Sequence, residues 1–158
     1  MAGEKKVVNE ERTLEAKWGK KTVKSMGWTG IPNLLIERQQ ALSISPLELN
    51  ILIIMMKHWW ESDRMPFPSK KIIAEIINRD GSTVQRAIRN MEKNGLLERI
   101  KRGNGYGGQG SNEYNLSGLI SKLQVLAEEE ENRQDTQRKA EGRRRRGVTS
   151  SVKEGVSN

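Results

Sequence analysis

Residues 80–95 run DGSTVQRAIRNMEKNG, and this stretch leaves few folds open. Asp80 suits a helix N-cap, because its carboxylate can accept from the free amides of the first turn. Val84, Ala87, Ile88 and Met91 recur at i, i+3, i+4 and i+7, the spacing of one core-facing stripe. Gly95 supplies the left-handed residue that stops a helix, after which Leu96 can fold back onto Met91. At roughly 100° per residue, the opposite side carries Ser82, Arg86, Arg89 and Lys93, flanked by Thr83 and Gln85. A helix over about 81–94, anchored on one side and offering Arg, Gln, Ser and Thr on the other, suits a major groove.

The chain before it supplies a frame. Ser45, Pro46 and Glu48 form an S-P-x-E start with a capping box and proline at the first helical position. The run ILIIMM that follows at 51–56 is apolar all round and predicts a helix buried on most sides. ESDRMPFPS is a connector, where Pro66 and Pro68 allow at most a short edge strand. Ser69 caps a second short helix, KKIIAEII, whose expected buried face is Ile72, Ile73, Ile76 and Ile77. Asn78 and Arg79 turn into Asp80, which makes a helix-turn-helix. Upstream, IPNLLI is a strand or a short helix, and its pattern does not choose between them.

After Gly95 the period changes. LLERIKR, a glycine-rich run GNGYGGQG and then NEYNLS read as strand, tip and strand, a β-hairpin in the position of a wing. Leu119, Ile120, Leu123 and Leu126 suggest a further amphipathic helix that packs on the domain or on a second copy. The expected organisation is a flexible basic arm over 1–27, a winged domain over 28–118, an amphipathic helix over 119–129 and a disordered, coreless basic tail over 130–158. The arm is a solvated leader or a phosphate-touching segment.

Composition narrows the chemistry. Only 34% of the 158 residues are hydrophobic and 30% are charged, so the core has to be concentrated in one region. A net charge of +8 favours polyanionic partners. With no cysteine there is no disulfide, thiol catalysis or thiolate metal site. The single histidine, His58, beside Trp59 and Trp60, fits a packed or surface role. The acids Glu37, Glu48, Glu61, Asp63 and Glu75 are scattered without nuclease-like spacing, so no catalysis, metal or cofactor is expected. No apolar leader and no run near the ~20 residues of a membrane span is visible, which points to the cytoplasm, with nucleoid association when bound.

The stretch PSKKIIAEIINRDGSTVQRAIRNMEKNGLLERIKRGNG resembles the winged helix-turn-helix domains of bacterial, phage and plasmid DNA-binding proteins. These include transcriptional regulators and the N-terminal domains of replication initiators of the DnaD-like kind. Pro68-Ser69, the isoleucines of the second helix, the TVQRAI run at 83–88 and KNGLL at 93–97 carry the likeness, which covers about 29–118. The fold it implies is mostly α with a small β-hairpin wing. It also implies that Ser82, Thr83, Gln85, Arg86 and Arg89 approach base edges and nearby phosphates. Family members often carry Arg or Lys early in the recognition helix, where this chain has Gly81 and Ser82, so base reading shifts toward Gln85, Arg86 and Arg89. Gln can bond adenine bidentately and Arg can bond guanine O6 and N7.

Lys93 is expected on phosphate, Lys70 among the DNA-contacting residues, and Lys101, Arg102, Asn104 and Tyr106 on backbone or minor groove from the wing. The wing formally matches G-x-G-x-x-G at 103–108, yet lacks the following helix that a dinucleotide site requires. The arginine run 143–146 is a solvated tail or a nonspecific nucleic-acid contact. Double-stranded DNA is therefore the expected partner, with a homodimer through the 116–127 helix also allowed and no small-molecule ligand evident. An alternative use of the same fold is a protein-interaction module tethered to nucleic acid by its basic tail.

Overall fold

The computed structural model describes residues 13–102 and 110–154, with side chains as far as residue 146. In the arm, residues 13–18 are helical and Lys21–Ser25 is a π-helical turn, with Val23 buried and Lys24 3.2 Å from Glu15. The segment left open between strand and helix is a helix, α1 (Asn33–Glu37), whose Leu35 is fully buried.

α2 (Pro46–Lys57) starts as its sequence dictates. Ser45 Oγ accepts from Glu48 N at 3.2 Å, and Glu48 Oε2 accepts from Ser45 N at 2.8 Å. Ile51, Leu52, Ile54 and Met55 fill the centre of the core. His58 ends the helix with Nδ1 2.8 Å from the Ile54 carbonyl, a packed role.

α3 (Lys70–Ile77) is capped by Ser69, whose Oγ accepts from Ile72 N at 3.1 Å. Its buried side differs from the expectation. Ile73, Ala74 and partly Ile77 face the core, whereas Ile72 and Ile76 remain 43% and 54% exposed. The two isoleucine rows lie 100° apart, and a helix of two turns resting on one surface buries one row and its Ala74 flank. Asn78 then adopts a left-handed conformation (φ 50°), with Arg79 N bonded to Ala74 O at 3.0 Å. Asn tolerates this region better than most residues, and the chain turns directly into Asp80.

α4 (Gly81–Lys93) ends in a Schellman motif. Leu96 N donates to Met91 O at 3.0 Å and Gly95 N to Glu92 O at 2.9 Å, with Gly95 at φ 69°. β1 (Glu98–Ile100) and β2 (Glu113–Asn115) follow as an antiparallel pair in the register Arg99 opposite Tyr114. Tyr114 N also donates to Pro66 O at 2.9 Å, so the proline connector lies along the free edge of β2. The wing tip, 103–109, falls outside the described residues.

α5 (Ser117–Glu154) begins against the end of α4. Leu119 N donates to Leu96 O at 2.8 Å, and a Cβ on Gly118 would stand 2.1 Å from the Gly95 carbonyl oxygen. Only glycine permits that approach. Leu119 is buried, and Leu123 and Leu126 pack on the core, so the leucine stripe faces its own domain; Ile120 and Val125 are the apolar residues turned outward. Arg38 pairs with Glu130 and fixes the helix once more. Where a disordered tail was expected from 130, the chain continues as helix to Glu154, still without a core, since the side chains of 131–146 are exposed to solvent. No helix among the described residues is long and apolar enough to cross a membrane.

Candidate nucleic-acid interface

α4 packs against both α2 and α3 through Val84, Ala87, Ile88 and Met91, all buried. A polar contact fixes its rotation: Asn90 Nδ2 donates to Glu48 Oε1 at 2.6 Å, and Glu48 is itself buried. With rotation and both ends defined, the outward side carries Ser82, Arg86, Arg89 and Lys93, as the period predicts. None of the three cations forms a salt bridge among the described residues.

Both acids associated with α4 accept hydrogen bonds, Asp80 from the first turn of the helix and Glu92 from the wing root. Asp80 accepts from Thr83 N at 2.8 Å, from Thr83 Oγ1 at 2.7 Å and from the Ser82 hydroxyl. These bonds, Ser82 first, hold its carboxyl well below the usual carboxylate range. The same bonds qualify the expectation for Ser82 and Thr83, since both hydroxyl hydrogens point to the cap and only the oxygen lone pairs face outward. Glu92 accepts from Arg99 N at 3.0 Å and pairs with its guanidinium at 2.5 Å. The Arg99 hydrogen bond lowers the Glu92 carboxyl, and Glu92 in turn raises Arg99. This pair joins α4 to the wing root across the Gly95 turn. No local pattern announces it.

Lys70, at the start of α3, donates to Gln85 Oε1 and bridges the two helices. An open hollow of about 650 Å³ lies on the wing side of that bridge, where Lys71, Arg99, Lys101 and Asn112 also line it. A second of about 510 Å³ lies on the other side, lined by Gly81, Ser82, Arg86 and Arg89. Lys101 is exposed without a salt bridge among the described residues. Arg102, expected to be free for backbone contacts, is held at the wing root by Glu113 at 3.4 Å and over the Phe67 ring at 4.5 Å. Asn104 and Tyr106 lie outside the described residues. Among the described residues, no cluster of His, Asp or Glu could hold a metal ion.

Three helices, the last capped and entered by a tight turn, and a two-stranded wing define a winged helix-turn-helix domain. Residues 42–97 match the helix-turn-helix domain family. A solved structure with this fold is the N-terminal domain of the DnaD protein from Geobacillus kaustophilus, 21% identical, covering 73% of this chain and 96% of that one with a TM-score of 0.52. A MepR–DNA complex from S. aureus is 21% identical over 76% of this chain and 90% of that one, with a TM-score of 0.43. A possible transcriptional regulator from Methanosarcina mazei is 20% identical over 68% and 85%, with a TM-score of 0.41. No curated protein matches the chain.

Proposed function

We propose that this chain binds double-stranded DNA by laying α4 in the major groove, as a transcriptional regulator or a replication-associated initiator of a bacterium, phage or plasmid. One observation carries the proposal: α4 has its rotation and both ends fixed, its acids Asp80 and Glu92 are bonded to the first turn and to the wing root, and Arg86, Arg89 and Lys93 face outward without a salt bridge among the described residues. Gln85, Arg86 and Arg89 approach base edges in this reading. Ser82 and Thr83 receive bonds near the first turn. Lys93 and Lys70 take phosphates, and Lys101, Arg102, Asn104 and Tyr106 reach backbone or minor groove from the wing, Arg102 by exchanging its contact with Glu113. Phosphate contacts fix register, and base contacts specify sequence.

Titration of duplex DNA at increasing salt tests this directly. Affinity falls steeply with salt, because each neutralised phosphate releases counterions. An Arg86→Ala, Arg89→Ala double variant loses sequence preference, each good arginine–guanine pair being worth roughly 1–3 kcal/mol of discrimination. Lys93→Ala instead weakens binding to all sequences and lowers the salt slope by about 1. Absence of duplex binding at low salt overturns the proposal. Sequencing the bound genomic fragments then separates the roles: promoters indicate a regulator, a replication origin an initiator.

A further inference from the structure

The bridge between Lys70 and Gln85 bears on which base the recognition helix selects, an inference that rests on the major-groove reading above. An ammonium has three donors and no acceptor. The Gln85 atom turned toward Lys70 is therefore the carbonyl oxygen Oε1, and the amide NH2 projects away from it. Gln85 is half-buried on α4, and the two residues stand side by side between the two hollows, lining both.

We propose that Lys70 is a specificity-determining positioning residue, which engages Gln85 Oε1 and turns the Gln85 amide NH2 outward as its leading hydrogen-bonding group. Free glutamine recognises adenine through a pair of bonds, donating to N7 and accepting from the N6 amino group. With Oε1 facing Lys70, the accepting half of that pair is weakened: a second lone pair remains on Oε1, but an adenine amino group reaching it would share the oxygen with a neighbouring ammonium. Guanine offers acceptors at both O6 and N7, so an amide presented donor-first favours guanine over adenine. Lys70 keeps two further N–H groups for a phosphate oxygen, which ties the orientation of the reading amide to the DNA backbone.

Selection of binding sites from a random duplex pool by the full chain tests the inference. The base under Gln85 is the one position at which Gln85→Ala abolishes preference. Wild type selects guanine there. Lys70→Met shifts that single position toward adenine by on the order of tenfold, leaving the positions set by Arg86 and Arg89 unchanged, and Lys70→Arg keeps the wild-type choice. A Lys70→Met chain that binds all sequences more weakly but selects the same base refutes the specificity role and leaves Lys70 a plain phosphate contact. Failure of the wild-type chain to select any duplex overturns the DNA-binding reading itself, and this inference with it.

Discussion

Asp80 carries most of the definition at the start of the recognition helix, and its chemistry makes that start acid-sensitive. Its carboxyl is depressed in the folded chain by donors from Ser82 and Thr83 that the unfolded chain lacks. A group with a lowered folded pKa contributes stability that is complete above its unfolded value, about 3.9 for Asp, and that disappears as pH falls from there toward the folded value. Glu92, lowered by Arg99, acts in the same direction. Asn caps helices about as well as Asp but does not titrate. Thermal melts of Asp80→Asn should therefore lose less Tm than wild type between pH 5 and pH 2.5; identical acid slopes would show that the cap charge contributes nothing. Asp80 and Gly95 were legible because a cap and a stop act within one helical turn. Gly118 was not legible, since its need for glycine comes from the carbonyl of Gly95, distant along the chain. The Lys70–Gln85 and Glu92–Arg99 pairs escaped the sequence for the same reason. Ile72 and Ile76 misled because the spacing of four isoleucines says which rows are apolar, not which row meets the core.

Among the elements, α2 and α4 depend on each other through one buried carboxylate. Glu48 closes the capping box of α2 with Oε2 and receives Asn90 of α4 on Oε1. Removing it unties the start of one helix and leaves a partnered amide on the other without its acceptor. Ser45 and Asn90 are themselves exposed, so water reaches the groups left behind and the loss is that of the two hydrogen bonds, about 0.5–1.5 kcal/mol each. Glu48→Ala should accordingly destabilise the domain by roughly 2 kcal/mol in urea unfolding, while Glu48→Gln, which keeps an acceptor at one of the two points, loses less. Duplex affinity separates the two consequences. If α4 is rotationally fixed by this contact, the folded Glu48→Ala chain binds DNA less selectively at temperatures where it is fully native; unchanged selectivity there would confine Glu48 to stability. The box was visible in the sequence as S-P-x-E. Its second partner was not, because Asn90 shows no local signal that its amide reaches another helix.

At the scale of the whole molecule, α5 is two things in one helix. Its first turns complete the core through Leu119, Leu123 and Leu126, and Arg38 with Glu130 makes the last described tie to the domain. Past that point the side chains of 131–146 lie in solvent, and no apolar stripe continues along the described residues. Sequence alone could not separate a protruding helix from an unstructured tail, since both lack core residues and carry the same charges. The four arginines of 143–146 are consecutive, so at 100° per residue they encircle the helix instead of forming one face. Such a ring suits a sequence-independent contact with a polyanion better than a shaped interface. Ending the chain after Glu131 removes eight Lys and Arg against three Asp and Glu and takes away no core residue. Stability should change by less than about 0.5 kcal/mol, the scale of surface substitutions away from structural features. The dependence of duplex affinity on salt should flatten, because fewer phosphates are neutralised, while the preferred sequence, set by α4, stays the same. A fall in Tm of several degrees would place the distal helix in the folding unit, and an unchanged salt slope would show that its arginines do not touch DNA.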